Sequence, residues 1–512
     1  MQETVGLQES VRSRKSLMDA FLNFIERAGN KLPDPATLFF LLSLIIILLS
    51  HVAAMSGWQA VNPATNETVK AVSLLTRDGI VKIMTQMVSN FSSFPPLGLV
   101  LVVMLGVGVA EYSGFMSALL RRMLIGANPS VVVPAVVFIG IMGNAAGDSA
   151  FVVMPPLAAM IFASLGKHPL VGIAAAYAGV AAGFCAKLFV NMLDVLIAGF
   201  TETSARIIDP NYIANPAMNY YFLAVSCIIL TVVGTYVTVK VVEPRMGVYK
   251  GRTDKFEPIN ETEKRALRVA GLVTLVYLAV IAFMTLPPNA VLRNPENGSL
   301  IVSPFMNSLV PIMTGLFLFP GIAYGVAAGT IKSDKDLAAM MSKAMSTMGS
   351  YIVLAFLAAQ FMAFFNWSNI GTIIAIKGAT LLRDIGFTGL PLLIGITIIS
   401  ALINLLVASA SAKWAVLGPV FVPMLMLLGY SPAMTQLVYR IGDSITNPIT
   451  PLLAYFPMAL SYAKKYDEKL GMGTLISSFL PYSIYFAVVW ILQLAIWFLL
   501  DLPLGPGSTI ML

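Results

Sequence analysis

Histidine and cysteine are nearly absent: His51, His168, Cys185 and Cys227 are the only four in 512 residues. Both cysteines lie in apolar segments, which argues against a disulfide framework and a thiolate metal site. The histidines are too far apart in sequence for a local metal motif, and no GxSxG, HExxH or P-loop pattern occurs. GVGVAEYSG at 106–114 carries glycines but sits inside an apolar run, which makes a nucleotide fold there implausible. An enzyme is therefore not expected. Charge is the second shortage. Only 11% of residues are Asp, Glu, Lys or Arg, against roughly 25% in a soluble protein of this size. The net charge of +7 would suggest nucleic acid in a soluble chain. Here the basic residues sit in loops, where they report orientation across a bilayer, so no nucleic-acid partner is expected.

What is abundant is apolar. Hydrophobic residues make up 58% of the chain, and the mean hydropathy is +0.83. This is the composition of an all-α polytopic membrane protein. The first run, Ala36 to Met55, is too long for a signal-peptide core and reads as a spanning helix. Nine spans are expected, at 36–55, 96–118, 169–199, 219–241, 266–286, 304–325, 338–365, 432–462 and 475–500. They divide into a segment 1–35, a first half 36–240, a loop 241–265, a second half 266–500 and a tail 501–512.

Two further apolar stretches, 131–163 and 390–428, are too long for one span and have small polar middles. Gly143-Asn144-Ala145-Ala146-Gly147-Asp148 interrupts the first, and Ala408-Ser409-Ala410-Ser411-Ala412-Lys413 the second. Such backbone survives at membrane depth only inside protein or beside a cavity. Both are expected to be re-entrant helical hairpins with tips meeting near the midplane. Occluding tips of this kind argue against a channel, which needs a continuous pore.

The halves also repeat. Segment 156–179 lies over 419–442, placing Pro156 on Pro419, Gly166 on Gly429, Pro169 on Pro432 and Gly179 on Gly442, each 263 residues apart. A fainter match pairs Ser89 with Ser346 and Gly114 with Gly371. With the amino terminus in the cytoplasm, inner loops hold roughly 22 Lys/Arg and outer loops roughly 6. The two hairpins then open to opposite sides, making the repeat an inverted one, a mark of secondary transporters.

Six ionisable residues fall inside these apolar stretches: Asp148, Lys187, Asp194, Lys413, Arg440 and Asp443. Each costs about 2.5–3.5 kcal/mol at helix centre, so they point to function. Arg440 and Asp443 are spaced i,i+3 to neutralise each other; Lys187 and Asp194, two turns apart on one helical face, could do so through a bridging group. Pro448 and Pro451 free carbonyls in the second interrupted helix. Asn404, Ser409, Ser411, Thr446 and Asn447 supply hard oxygens near Asp443, suited to sodium. An aspartate there could equally carry a proton. Trp414 supplies an aromatic wall next to an Arg able to grip a carboxylate, or else it is an interfacial belt residue. An aromatic or amphipathic organic anion is the expected substrate.

At these residues the sequence resembles the aminobenzoyl-glutamate transporter (AbgT) family, over nearly the whole chain. The most specific stretches are AQFMAFFNWSNIG (359–371), SASAKWAVLGPVFVPMLMLLGYSP (409–432), YRIGDSITNPITP (439–451) and GTLISSFLPYS (473–483). The resemblance implies a homodimer of protomers with nine spans and two hairpins, and transport of p-aminobenzoyl-glutamate. In some members it implies export of p-aminobenzoate-like compounds and sulfonamides instead. It implies substrate contacts at Asp194, Ser411, Trp414, Pro432, Arg440 and Pro451, to which the first tip adds Asn144 and Asp148. It implies sodium ligation by Asn404 and Asp443. Two residues depart from the pattern. Lys187 stands where relatives commonly carry Asn, and Lys413 where they carry an uncharged residue; an ammonium at either place could replace a cation or add an anion contact. The expectation is an ion-coupled, elevator-type transporter in a bacterial inner membrane.

Overall fold

The computed structural model describes residues 33, 35–61, 67–124, 131–144, 149–247, 249, 259–300, 303–407, 409–468 and 470–512. The first nine helices are α1 (Pro35–Met55), α2 (Arg77–Ser92), α3 (Pro95–Tyr112), α4 (Phe115–Leu124), α5 (Val132–Gly143), α6 (Ser149–Ser164), α7 (Pro169–Ala182), α8 (Met192–Ala205) and α9 (Tyr220–Tyr236). Among the described residues, after α10 (Glu261–Thr285) nine more helices of nine residues or longer follow in matching order. They are α11 (Leu309–Ala328), α12 (Asp334–Thr347), α13 (Gly349–Trp367), α14 (Ile370–Asp384), α15 (Gly389–Leu406), α16 (Ala410–Met426), α17 (Pro432–Thr446), α18 (Phe456–Lys464) and α19 (Met472–Leu499). A small antiparallel ribbon, Gln59–Val61 with Thr68–Lys70, is the one addition to the expected all-α class among the described residues.

The repeat is visible in how the helices pack. From the first half α1 and α2 lie on α13; from the second, α11 and α12 lie on α3. The exchange is reciprocal, as a pseudo-two-fold relation requires. Local chemistry sets equivalent helix starts. Pro169 and Pro432 occupy the first turns of α7 and α17, where a missing N–H costs nothing. Caps from His168 and Ser431 precede them. Gly179 and Gly442 allow the same close approach in each copy. A Cβ on Gly179 would lie 3.2 Å from Gly140 Cα of α5, and one on Gly442 would lie 2.3 Å from the Thr397 carbonyl of α15.

Both hairpin regions fold as helix pairs, α5/α6 and α15/α16, and both long segments after them are broken. The first stops at Ala182 and resumes at Met192. The second stops at Thr446, makes a 3-10 turn at Asn447–Ile449, and resumes at Phe456. Several expected boundaries move. The 96–118 span ends at Tyr112, because Gly114 takes a left-handed φ of 89°. The 338–365 span is two helices, α12 and α13, and α12 is polar with a Ser333/Asp336 capping box. Helices α2 and α14 were not expected, being too amphipathic to stand out as spans. Among the described residues, eight helices, counting α2 and α3 as one, are long and apolar enough to cross a membrane. α15 is one of them, whereas α7 and α17, at 14 and 15 residues, are too short.

Candidate substrate and ion site

The first helix break, the start of α16 and the last turns of α17 carry five buried charges, a cluster of two ion-paired groups joined along α17. Lys187, Asp194, Lys413, Arg440 and Asp443 are each 3% exposed or less. Asp194 lies in the first turn of α8, where its Oδ2 accepts the Asn191 backbone N–H at 2.7 Å in a capping box. The same carboxylate pairs with Lys187 Nζ at 3.2 Å and, through Oδ1, with Arg440 of α17. Lys187 also donates to Asn191 Oδ1 at 2.9 Å. Asp443 pairs with Lys413 Nζ at 2.6 Å, and Lys413 donates to Asn404 Oδ1 as well.

These partners differ from the sequence expectation. Arg440 and Asp443 do not neutralise each other; each takes a partner from another segment. Lys187 reaches Asp194 directly, without a bridging group, because the chain between Gly183 and Asn191 is not helical. Lys413 is buried with Asp443, and Trp414 is fully buried rather than set in a belt. Its ring stacks on Tyr439 with centroids 4.5 Å apart, and its Nε1 donates to Thr201 at 2.9 Å. Thr201 donates to Gln436, which donates to Asn219, a buried polar chain that no local motif announces.

Asn404 faces the end of α17. Its Nδ2 lies 2.6 Å from the Asp443 carbonyl, 2.8 Å from Asn447 Oδ1 and 2.9 Å from Thr446 Oγ1, three acceptors that share its two hydrogens. Asn144, at the end of α5, donates to the carbonyls of Ile141 and Val180 at 3.0 Å, and Asn447 donates to the Ala181 carbonyl at 3.2 Å. Neighbouring carbonyls freed at the end of α7 are thus taken by asparagines from opposite halves. Asp148 lies outside the described residues. Ser409 and Ser411 stay at the start of α16, their hydroxyls 3.4 Å apart, with Ser409 capping Ala412 N–H. Pro432 begins α17, about 12 Å along the helix from Arg440, and half-buried Pro451 follows the 3-10 turn. Neither proline joins the charge cluster.

Two features give the cluster its chemistry. Among the described residues it holds three cations and two carboxylates, one positive charge in surplus. Arg440 uses Nη2 for Asp194, while its Nε and Nη1 have no hydrogen-bond partner among the described residues. Buried guanidinium donors left open are costly, and a carboxylate satisfies both charge and geometry.

A separate cavity of about 460 Å³ lies between α2, α13 and the end of α8. Ser89, Asn90, Arg206, Asn366 and Trp367 line it. This mixture of amides, one guanidinium and an aromatic ring was not singled out in the sequence, although Ser89 figured in the repeat.

Residues 20–512 match the family model described as "AbgT putative transporter family". The chain is 38% identical to the p-aminobenzoyl-glutamate transport protein of Escherichia coli (strain K12), covering 94% of this chain and 96% of that one. The crystal structure of the Alcanivorax borkumensis YdaH transporter superposes with a TM-score of 0.90 at 39% identity, covering 93% of this chain and all of that one. Neisseria gonorrhoeae MtrF, described within a class of antimetabolite efflux pumps, superposes with a TM-score of 0.90 at 44% identity, covering 95% and 100%. The chain belongs to the AbgT transporter family, as a multi-pass membrane transporter.

Proposed function

We propose that this transporter is an ion-coupled carrier of p-aminobenzoyl-glutamate or a related aromatic carboxylate across a bacterial inner membrane. One observation carries the reading: among the described residues, a buried cluster of three cations and two carboxylates contains an Arg440 whose Nε and Nη1 have no hydrogen-bond partner. A substrate carboxylate completes both. The Trp414–Tyr439 stack, whose Tyr439 hydroxyl lies 3.5 Å from Asp443 Oδ1, supplies the surface for an aromatic ring. The substrate set is Asn144, Asp148, Asp194, Ser411, Trp414, Pro432, Arg440 and Pro451; Asn404, Ser409, Asp443, Thr446 and Asn447 serve coupling. The protomer has nine spans and two re-entrant hairpins in an inverted repeat, an amino terminus in the cytoplasm, and a homodimeric assembly. The hairpins and broken helices move together, elevator-fashion.

Counterflow in proteoliposomes with imposed sodium or proton gradients tests this directly, using labelled aminobenzoyl-glutamate and a sulfonamide. Gradient-driven accumulation of aminobenzoyl-glutamate is the expected result; accumulation of neither compound would overturn the reading. Export of sulfonamides driven by protons is the second reading. What favours it is that ammonium groups already lie where sodium would, Lys413 against Asn404 and Asp443, and Lys187 against Asn191 and Asp194.

Lys187 is accessible to a simple test. Lys187→Asn removes one of the two fixed cations on Asp194, leaving Arg440 as its counter-charge and the place between Asn191 and Asp194 open to a mobile cation. Initial transport rate plotted against sodium should steepen or acquire a dependence that the parent lacks. Superimposable curves would remove Lys187 from coupling. For substrate contact, Trp414→Ala should weaken binding of aromatic substrates by about 1–3 kcal/mol, the range for a stacked aromatic in a desolvated site. A dissociation constant unchanged in detergent would make Trp414 a packing residue.

A further inference from the structure

A groove of about 1030 Å³, distant in character from the charge cluster, opens between α4, α10 and α11. Its floor is a single stripe of α10. Lys264 and Arg268 are one turn apart at the stripe's beginning, and Gly271, Leu272, Leu275 and Leu278 continue it. The spacing keeps all six on one face of the helix. Leu272 and Leu275 are 64% and 67% exposed. Nothing lies within 4 Å of a Cβ built on Gly271, so the groove is open at its middle.

The charged end is reinforced from a second helix. Arg121 of α4 pairs with Glu263 of α10 at 2.5 Å, which brings the two helix ends together. Arg122, the next residue, lines the same end of the groove as Lys264 and Arg268. Lys264 is paired with Glu261 at 2.7 Å. Arg122 and Arg268 are exposed and have no acidic partner within ion-pair distance among the described residues.

We infer that this groove is a binding site for an anionic phospholipid. The headgroup phosphate lies against Arg122 and Arg268, and an acyl chain runs down the leucine stripe of α10. The dimensions agree. From Arg268 to Leu278 the helix rises about 15 Å, half of the roughly 30 Å hydrocarbon core and so the depth of one leaflet. A basic end over an apolar groove between transmembrane helices is the arrangement that selects anionic headgroups over zwitterionic ones. Phe189, from the break that also carries Lys187, forms part of the wall. A bound lipid therefore touches the segment that leads into the charge cluster. A second copy of the chain covering α10 is the rival occupant.

Native mass spectrometry of the full-length protein, delipidated in detergent and titrated with phosphatidylglycerol, cardiolipin or phosphatidylcholine, tests the site. The parent should retain one anionic lipid at concentrations at least tenfold below those needed for phosphatidylcholine. Arg122→Gln combined with Arg268→Gln should abolish that preference, and both positions are exposed, so folding should be spared. Gly271→Leu, placed in open space, should independently lower retention of every lipid by filling the groove. Equal retention of phosphatidylglycerol and phosphatidylcholine by the parent would overturn the inference. So would parent-like anionic preference in the double arginine variant. Disulfide-linked dimers formed by Leu275→Cys, without a lipid adduct, would assign the groove to a second copy instead.

Discussion

Asp194→Asn should transport no substrate and should unfold at a clearly lower temperature than the parent. Asp194 is the only carboxylate in contact with both Lys187 and Arg440 among the described residues, and all three are buried. Asparagine keeps the shape and still offers an oxygen to the Asn191 N–H, so the cap on α8 largely survives. What disappears is the charge. Two buried cations then face each other with no counter-charge, and breaking a buried pair in this way costs about 3–5 kcal/mol. Arg440→Met should be milder in stability, because the Lys187–Asp194 pair remains intact, yet equally inactive. Thermal melts in detergent beside uptake in proteoliposomes decide the matter. Parent-like transport by Asp194→Asn would show that Arg440 needs no carboxylate to stay poised.

The second large effect is expected at Asp443. Asp443→Asn should abolish gradient-driven transport while leaving exchange at equal ion concentrations measurable, since the site keeps its shape but loses the charge that coupling requires. It should also lose stability, because Lys413 is left buried with only Asn404 as partner. Adding Lys413→Met removes both halves of the pair. The double variant should regain much of the lost stability without regaining driven transport, a coupling that a double-mutant cycle measures directly. If accumulation against a gradient survives in Asp443→Asn, then Asp443 serves only to hold Lys413.

Which parts of this architecture were legible beforehand follows from the range of the forces involved. Helix breaks and hairpin ends were readable because Gly, Pro and Asn act on their own backbone: Pro169 and Pro432 start helices, and Gly179 and Gly442 admit a neighbour. The polarity of α2 and α14 hid them, since a hydropathy reading sees only what resembles lipid. Ion pairing was legible as to membership but not as to partners. Five of the six intramembrane charges gather in one place, while the sixth, Asp148, lies outside the described residues. Yet spacing suggested Arg440 with Asp443, and the chain joins Arg440 to a residue 246 positions away. Lys187 and Asp194 meet for a reason opposite to the one their spacing offered, through a break rather than along a helix. The Thr201–Gln436–Asn219 chain had no signal at all, because hydroxyls and amides in apolar helices are common and only the packing brings these together.

The surplus positive charge has a consequence for voltage. On the proposed elevator movement, a core one charge positive when empty, as counted over the described residues, does electrical work in crossing the bilayer, whereas the same core holding one carboxylate crosses nearly free of it. Moving a unit charge through 100 mV is worth about 2.3 kcal/mol. In a cell whose interior is negative, the potential then acts mainly on the unloaded carrier, drawing it toward the cytoplasmic side and opposing its return. Each further carboxylate on the cargo adds a negative charge to the loaded stroke and leaves the empty one unchanged, so the charge of the substrate, net of any coupling cation, sets how strongly the membrane drives the loaded half of the cycle.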